Sequence, residues 1–353
     1  MRIGLVTGPW IPVPPATYGG TERVVDTLAR GFAAAGHEVL LAAPADSTCP
    51  VQNVPGMRPT DYGGLGTTLS ELSHVARAYE GLQDVDIIHD HTLAGPLYLH
   101  RPAGVPVATT IHGPLHAQAA DIYRAVARKG AVIAISRDQA SHAPDVPVTR
   151  VIHHGMDLSA VPVGSGSGGY LCFVGRSSPD KGLLEAIAIA REAGLHLKIA
   201  VKMRDPEEVH YFRDVIEPKL GPNVDFVGEV DDAAKYRLMG EALAFLNPIQ
   251  WSEPFGLVMI EALATGTPVV GTRIGSAPEI VKHGRTGFLG ETAELAGLVP
   301  AAAGLDRAEC RRAVVERFSA ERMVAEHLEL YSDLIEGRTP PGVPHGTRLH
   351  QNR

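Results

Sequence analysis

Residues 252–266 read Ser252-Glu253-Pro254-Phe255-Gly256-Leu257-Val258-Met259-Ile260-Glu261-Ala262-Leu263-Ala264-Thr265-Gly266. Leu257, Ile260, Leu263 and Ala264 recur at helical spacing. Gly256 after a Pro-containing turn marks the start, and Gly266 marks the end. Glu253 therefore belongs to the loop before the helix, and Glu261 lies one to two turns inside it. The first turn between them offers N–H groups without intrahelical partners, and the positive end of the helix dipole favours an anion there. Carboxylates at two depths around such a site suit a long ligand, anionic in the middle and rich in hydroxyls at both ends. A sugar nucleotide has that build.

The composition suits a globular enzyme. The 353 residues are enough for two domains of ordinary size, with 44% hydrophobic and 20% charged residues. A formal net charge of −8 argues against a general nucleic-acid binder, so any phosphate site must be a local basic cluster. Cys49, Cys172 and Cys310 are widely spaced and odd in number. They form neither a disulfide framework nor a metal-ligand spacing and suit a reducing compartment. The first apolar strand begins by residue 3, so no signal peptide is expected, and no apolar run reaches membrane-spanning length. The expected location is cytoplasmic, with a peripheral membrane contact left open.

Short apolar strands are expected at residues 3–7, 39–43, 87–89, 107–111 and 132–135, separated by helical patterns. The pattern repeats with strands at 171–174, 197–201, 224–227, 243–246 and 269–270. This alternation predicts α/β architecture with parallel, doubly wound sheets, whose ligands bind at strand carboxyl ends. Pro-Val-Gly-Ser-Gly-Ser-Gly-Gly at 162–169 reads as a flexible interdomain linker. The expected division is a first domain at 1–161, a second at 170–318, an amphipathic C-terminal helix at 319–336 and a disordered tail at 337–353 rich in Gly, Pro and charge.

Arg176 and Lys181 lie in Val-Gly-Arg-Ser-Ser-Pro-Asp-Lys-Gly, between a strand and a helix, a suitable diphosphate cradle. Pairing of Lys181 with Asp180 in a solvated turn is the competing reading. Gly19-Gly20-Thr21-Glu22-Arg23 opens a helix after a proline-rich loop, where glycine lets backbone approach a ligand. The first turn lacks GxGxxG, which disfavours a dinucleotide site. His112 falls at the carboxyl end of a strand. His89 and His91 alternate onto one strand face, but no third ligand accompanies them, so a metal site is not expected. Lys202 follows a strand and either adds a phosphate contact or lines the site.

The run from Glu253 to Val270 closely resembles the donor-binding signature of retaining glycosyltransferases of family 4, which have the GT-B fold. The Pro-Pro-X-X-Tyr-Gly-Gly-Thr-Glu pattern, the segment around Arg176 and Lys181, and His153-His154-Gly155-Met156-Asp157 resemble other motifs of that family in the same order. In the last of these, His154 replaces Asn and Met156 replaces Ile.

The resemblance implies two Rossmann-like domains facing a cleft, with the C-terminal helix packed back on the first. It implies hexosyl transfer, with retention, from a nucleotide diphosphate sugar to a hydroxyl acceptor: a glycan, a lipid or a small molecule. By family frequency the donor is a UDP-sugar. Arg176 and Lys181 would hold the leaving diphosphate, and Gly20 would touch it through its backbone. Glu253, with backbone N–H groups of Phe255, Gly256 and Leu257, would hold the donor sugar, Glu261 the ribose and the backbone of Glu229 and Val230 the base. His112 would orient a sugar hydroxyl. No cofactor and no metal are implied beyond the donor. A nucleotide-sugar epimerase of the same architecture and a catalytically silent sugar-nucleotide binder are the competing classes; the Arg, Lys and Glu set argues against the second.

Overall fold

The computed structural model describes residues 1–16 and 19–338. Tyr18 of the proline-rich motif and most of the tail expected at 337–353, from Thr339 onward, lie outside the described residues. The chain forms two compact units. One comprises Met1–Gly155 with the segment from Ala320 onward, and the other Met156–Ser319.

The first unit carries β1 (Arg2–Val6), α1 (Gly20–Ala34), β2 (Glu38–Ala42), β3 (Gln52–Asn53), α2 (Thr68–Gly81), β4 (Ile87–Asp90), β5 (Val107–Thr110), α3 (Ala117–Val126), β6 (Ala131–Ala134), α4 (Arg137–Ser141) and β7 (Arg150–Val151). The strands pair in parallel in the order β3-β2-β1-β4-β5-β6-β7. Strands β4, β5 and β6 are buried along their whole length, as a parallel sheet covered on both faces requires. Leu40, Val75, Tyr79, Leu82 and Ile88 pack one core cluster, and Ile111, Tyr123, Val132 and Val146 another. The order reverses between β1 and β4, so the ligand end of this sheet is where β1, β4 and β5 finish.

The second unit carries β8 (Tyr170–Arg176), α5 (Leu183–Glu192), β9 (His196–Lys202), α6 (Pro206–Tyr211), β10 (Val224–Gly228), α7 (Asp232–Glu241), β11 (Ala244–Asn247), α8 (Leu257–Ala264), β12 (Val269–Thr272), α9 (Ala277–Ile280), β13 (Gly287–Gly290), α10 (Leu295–Ala303) and α11 (Arg307–Arg317). Its parallel order is β10-β9-β8-β11-β12-β13, with the reversal between β8 and β11. Helix α8 is buried at every position from Met259 to Ala264. Strand β10 is an edge strand, and Phe226 and Val227 are exposed on it, unlike the buried strand its apolar residues suggest.

The last helix, α12 (Ala320–Ile335), belongs to the first unit. It lies against α1, with the rings of Phe32 and Tyr331 5.5 Å apart. Gly31 permits this approach, since a Cβ there would meet Val324 Cγ2 at 2.3 Å.

Residues 162–169, expected as a flexible linker, are bonded along the second unit. Gly164 N donates to Thr265 O, Gly166 N to Gly240 O and Gly168 N to Glu241 O, at 2.9–3.0 Å. Arg307 donates to Gly164 O. A Cβ on Gly164 would lie 2.1 Å from Gly240 O, so this glycine serves close backbone approach and not looseness. The two units divide instead at Gly155 and Met156.

Candidate active site

In the second unit Arg176, Lys181 and Glu253 gather in the loops at the carboxyl ends of β8 and β11. Arg176 ends β8, next in register to Lys202 at the end of β9. The chain then makes one tight turn, Pro179–Lys181, closed by Gly182 at φ 74°. Gly182 is needed because a Cβ would sit 1.9 Å from Pro248 O. The loops after β8 and β11 thus lie on one another, joined by Gln250 N donating to Asp180 O at 2.8 Å.

Each cation in this loop pair faces a carboxylate. Arg176 pairs with Asp180 at 3.1 Å and with Glu208 at 3.5 Å. Glu208 is buried and also accepts from Arg204 N at 2.9 Å, which fixes it at the start of α6. Lys181 pairs with Glu253, not with Asp180, and lies 5.5 Å from the Trp251 ring centre. Glu253 Oε1 takes that ion pair, whereas Oε2 is buried without a hydrogen-bond partner. An unpartnered buried carboxylate oxygen is costly, and a ligand hydroxyl would relieve it.

The turn carrying Glu253 is fastened from behind. Ser276 N donates to Glu253 O at 3.1 Å, and Ser276 Oγ donates to Phe255 O. Gly256 caps α8 at φ 89°, in the left-handed region that favours glycine. Leu257 is the first helical residue, so the N–H groups from Gly256 onward line the helix start. Inside α8, Glu261 pairs with Lys235 at 2.7 Å, and both side chains are almost buried. Lys235 also meets Asp232 at 2.9 Å and lies 5.0 Å from the Tyr236 ring. Burial pulls the Lys235 ammonium down, but Glu261, Tyr236 and Asp232 outweigh it and hold its pKa above the usual lysine value. Glu229 and Val230 follow β10, and Glu229 pairs with Arg204 at 3.1 Å on the exposed edge.

In the first unit Gly20 is the first residue of α1, capped by Gly19. Glu22 in that first turn is buried, and burial raises its carboxyl to about 7. His112 follows β5, and around it the strand ends bring other histidines together. His91 Nδ1 and His112 Nε2 are 2.8 Å apart. The His112 ring stacks on His154, 5.4 Å between centres at 18°. His89 and His91 share a strand face, with ring centres 4.0 Å apart. His89 is held between Thr110 Oγ1 at 2.8 Å and the Tyr331 hydroxyl at 2.6 Å. Burial lowers His112 to about 3, aided by His327, and burial lowers His327 to about 4. These rings are neutral at physiological pH.

Sequence reasoning missed Lys235, Glu208 and the ring contacts of His91 and His154. Lys235 is distant in the chain from Glu261 and carries no motif. Among the described residues no group of His, Cys, Asp or Glu could hold a metal ion, and no helix is long and apolar enough to cross a membrane.

Two doubly wound parallel sheets, with cations and carboxylates at the strand ends of one and histidines at those of the other, define a GT-B glycosyltransferase. The crystal structure of AviGT4, a glycosyltransferase involved in avilamycin A biosynthesis, is 29% identical and has a TM-score of 0.71; it covers 96% of this chain and 99% of that one. Residues 18–160 match the Glycosyltransferase Family 4 model and residues 164–301 the Glycosyl transferases group 1 model, and the chain belongs to this family. The phosphatidyl-myo-inositol mannosyltransferase of Mycobacterium leprae is 27% identical over 91% of this chain and 90% of that protein. The N-acetyl-alpha-D-glucosaminyl L-malate synthase of Bacillus anthracis is 34% identical over 119 residues, which span 31% of this chain and 30% of that protein.

Proposed function

We propose that this glycosyltransferase moves a hexosyl group, with retention, from a nucleotide diphosphate sugar, by default a UDP-sugar, to a hydroxyl of a glycan, lipid or small molecule. The observation that carries the reading is Glu253, one oxygen on Lys181 and the other buried and unpartnered beside the start of α8. That oxygen suits a hydroxyl donor such as the transferred sugar. Arg176 and Lys181, with Gly20 in the first unit, suit the diphosphate. Glu261, fixed by Lys235, suits the ribose. The backbone of Glu229 and Val230 suits the base, and backbone N–H groups of Phe255, Gly256 and Leu257 suit the sugar and phosphate.

In the reaction the bond between the anomeric carbon and the diphosphate oxygen breaks, and the bond to the acceptor oxygen forms on the same face. The acceptor proton passes to the departing diphosphate oxygen. Arg176, Lys181 and the dipole of α8 stabilise the charge that develops there, the largest kind of electrostatic help a site of this build can give. His112 orients a hydroxyl of the reacting sugar. These groups suffice to neutralise the diphosphate, so no metal is required.

The test is transfer from a panel of α-linked nucleotide sugars, with NMR of the first-formed product. An α-linked product, formed at an unchanged rate in EDTA, is expected. A β-linked product, or loss of transfer in EDTA, would overturn the reading. Consumption of donor without any acceptor would indicate an epimerase instead.

A further inference from the structure

His91 N donates to Val6 O at 2.9 Å, so the backbone that carries its ring is fixed to β1. Its Nδ1 lies 2.8 Å from His112 Nε2, and its own Nε2 is buried without a partner. Two neutral imidazoles at this distance share one proton along the contact. Either His91 Nδ1 donates to His112 Nε2, or the reverse.

The orphaned nitrogen separates the two cases. If His91 accepts at Nδ1, its proton sits on Nε2 and becomes a buried N–H with no acceptor. If His91 donates at Nδ1, the orphan is only a lone pair. Buried N–H groups without acceptors are rarer than under-satisfied acceptors. The second arrangement is the favoured one.

We propose that His91 is a positioning residue: by donating from Nδ1 to His112 Nε2 it fixes His112 as the Nδ1–H tautomer, and so makes His112 a hydrogen-bond donor toward a substrate oxygen. The proposal rests on the reading of His112 as the residue that orients a sugar hydroxyl. The contacts agree with it. His112 Nδ1 has no partner among the described residues, which leaves its proton for a ligand. His154 stacks on the ring and fixes its plane. His327 donates from Nδ1 to Met323 O at 2.7 Å, so a neutral His327 has a bare Nε2 and no second proton to contribute. Burial keeps His91 neutral, with the neighbouring rings of His89, His112, His327 and His154 opposing any further positive charge.

The direct test is a two-bond proton–nitrogen spectrum of the intact protein labelled with ¹⁵N-histidine, with His112 assigned through His112→Asn. The wild-type protein should give the Nδ1–H pattern for His112. In His91→Leu that pattern should be lost, with transfer slowed roughly 10-fold at unchanged donor KM, the scale of one good hydrogen bond. His91→Asn places an amide nitrogen near the position of Nδ1, and it should restore both the pattern and most of the rate. An Nε2–H pattern for His112 in the wild-type protein overturns the proposal without reliance on any His91 variant folding. An unchanged pattern in His91→Leu overturns it as well. The tautomer is read without substrate, so a wild-type protein that transfers no sugar would sink the functional reading and leave the spectrum to judge His91.

Discussion

The two units share one scaffold and build opposite electrostatics on it. In the second unit three cations each face a carboxylate: Arg176 with Asp180 and Glu208, Lys181 with Glu253, Lys235 with Glu261. At the strand ends of the first unit, neutral imidazoles hydrogen-bond and stack. Paired charges can exchange partners when an anion arrives, because each cation already has a strong acceptor to leave. Neutral rings instead hold fixed donors and acceptors in place for a hydroxyl. The same parallel sheet therefore carries paired charges or neutral rings at its ends, according to the side chains that follow its strands.

The largest expected effect is on acid stability. Histidines with folded pKa values below the unfolded value near 6.5 bind fewer protons when folded, so their contribution is present above pH 6.5 and lost as pH falls toward their folded values. His112 and His327 lie at about 3 and about 4, and burial also lowers His74, His89, His91 and His154. His74, His112 and His327, at about 4, 3 and 4, each cost about 2 kcal/mol of stability at pH 5, and the others act in the same direction. Glu22 and Asp90, both raised to about 7 by burial, and Glu71, raised likewise, act in the opposite direction, since each is more stably held when protonated. Six rings outnumber three carboxyls, so the first unit should unfold at a higher pH than the second. The two tryptophans report this separately, Trp10 in the first unit and Trp251 in the second. Fluorescence of Trp10→Phe and Trp251→Phe variants during acid titration should show the Trp10 transition first. Coincident transitions, or the reverse order, would break the contrast between the units.

Next in size is the division of labour among the paired charges. Lys181→Ala should weaken UDP binding roughly 10- to 150-fold, the range for a charged hydrogen bond. Glu261→Ala should weaken it less, by loss of a ribose contact. Glu253→Ala should leave it equal or tighter, because Lys181 is released, while transfer falls. Calorimetry with UDP beside initial rates separates the three, and weaker UDP binding in Glu253→Ala would refute the proposed exchange of partners. The smallest effect belongs to Glu229→Ala. The Glu229–Arg204 pair is exposed, and such pairs contribute about 0–1 kcal/mol, so UDP affinity should change less than about 5-fold. A larger loss would mean that the base is held by the Glu229 side chain and not by its backbone.

Much of this was legible in the sequence where local rules and tertiary structure agree. The helix after Gly256, the strands ending near Arg176 and His112, and the shared face of His89 and His91 all follow from periodicity and turn residues. The two-residue strands β3 and β7 were not legible, being too short to show alternation. Residues 162–169 misled for a different reason. Glycine allows both a loose chain and a very close backbone contact, and composition does not separate the two; Gly164 against Gly240 is the second kind. Lys235 and Glu208 were invisible because an ion pair formed across the fold leaves no local pattern. The contact of His91 with His112 likewise depends on the pairing of β4 with β5.

Helix α8 has no solvent face between Met259 and Ala264, and it carries Glu261 and starts at the turn of Glu253. A substitution scan of this helix would be almost blank. Apolar changes there disturb close packing, and polar ones bury an unsatisfied group. Sequence variation that alters ligand choice must then arise in the surrounding loops, and efforts to redirect the enzyme should begin at Trp251, Arg204 and the turn at 179–181, leaving the helix untouched.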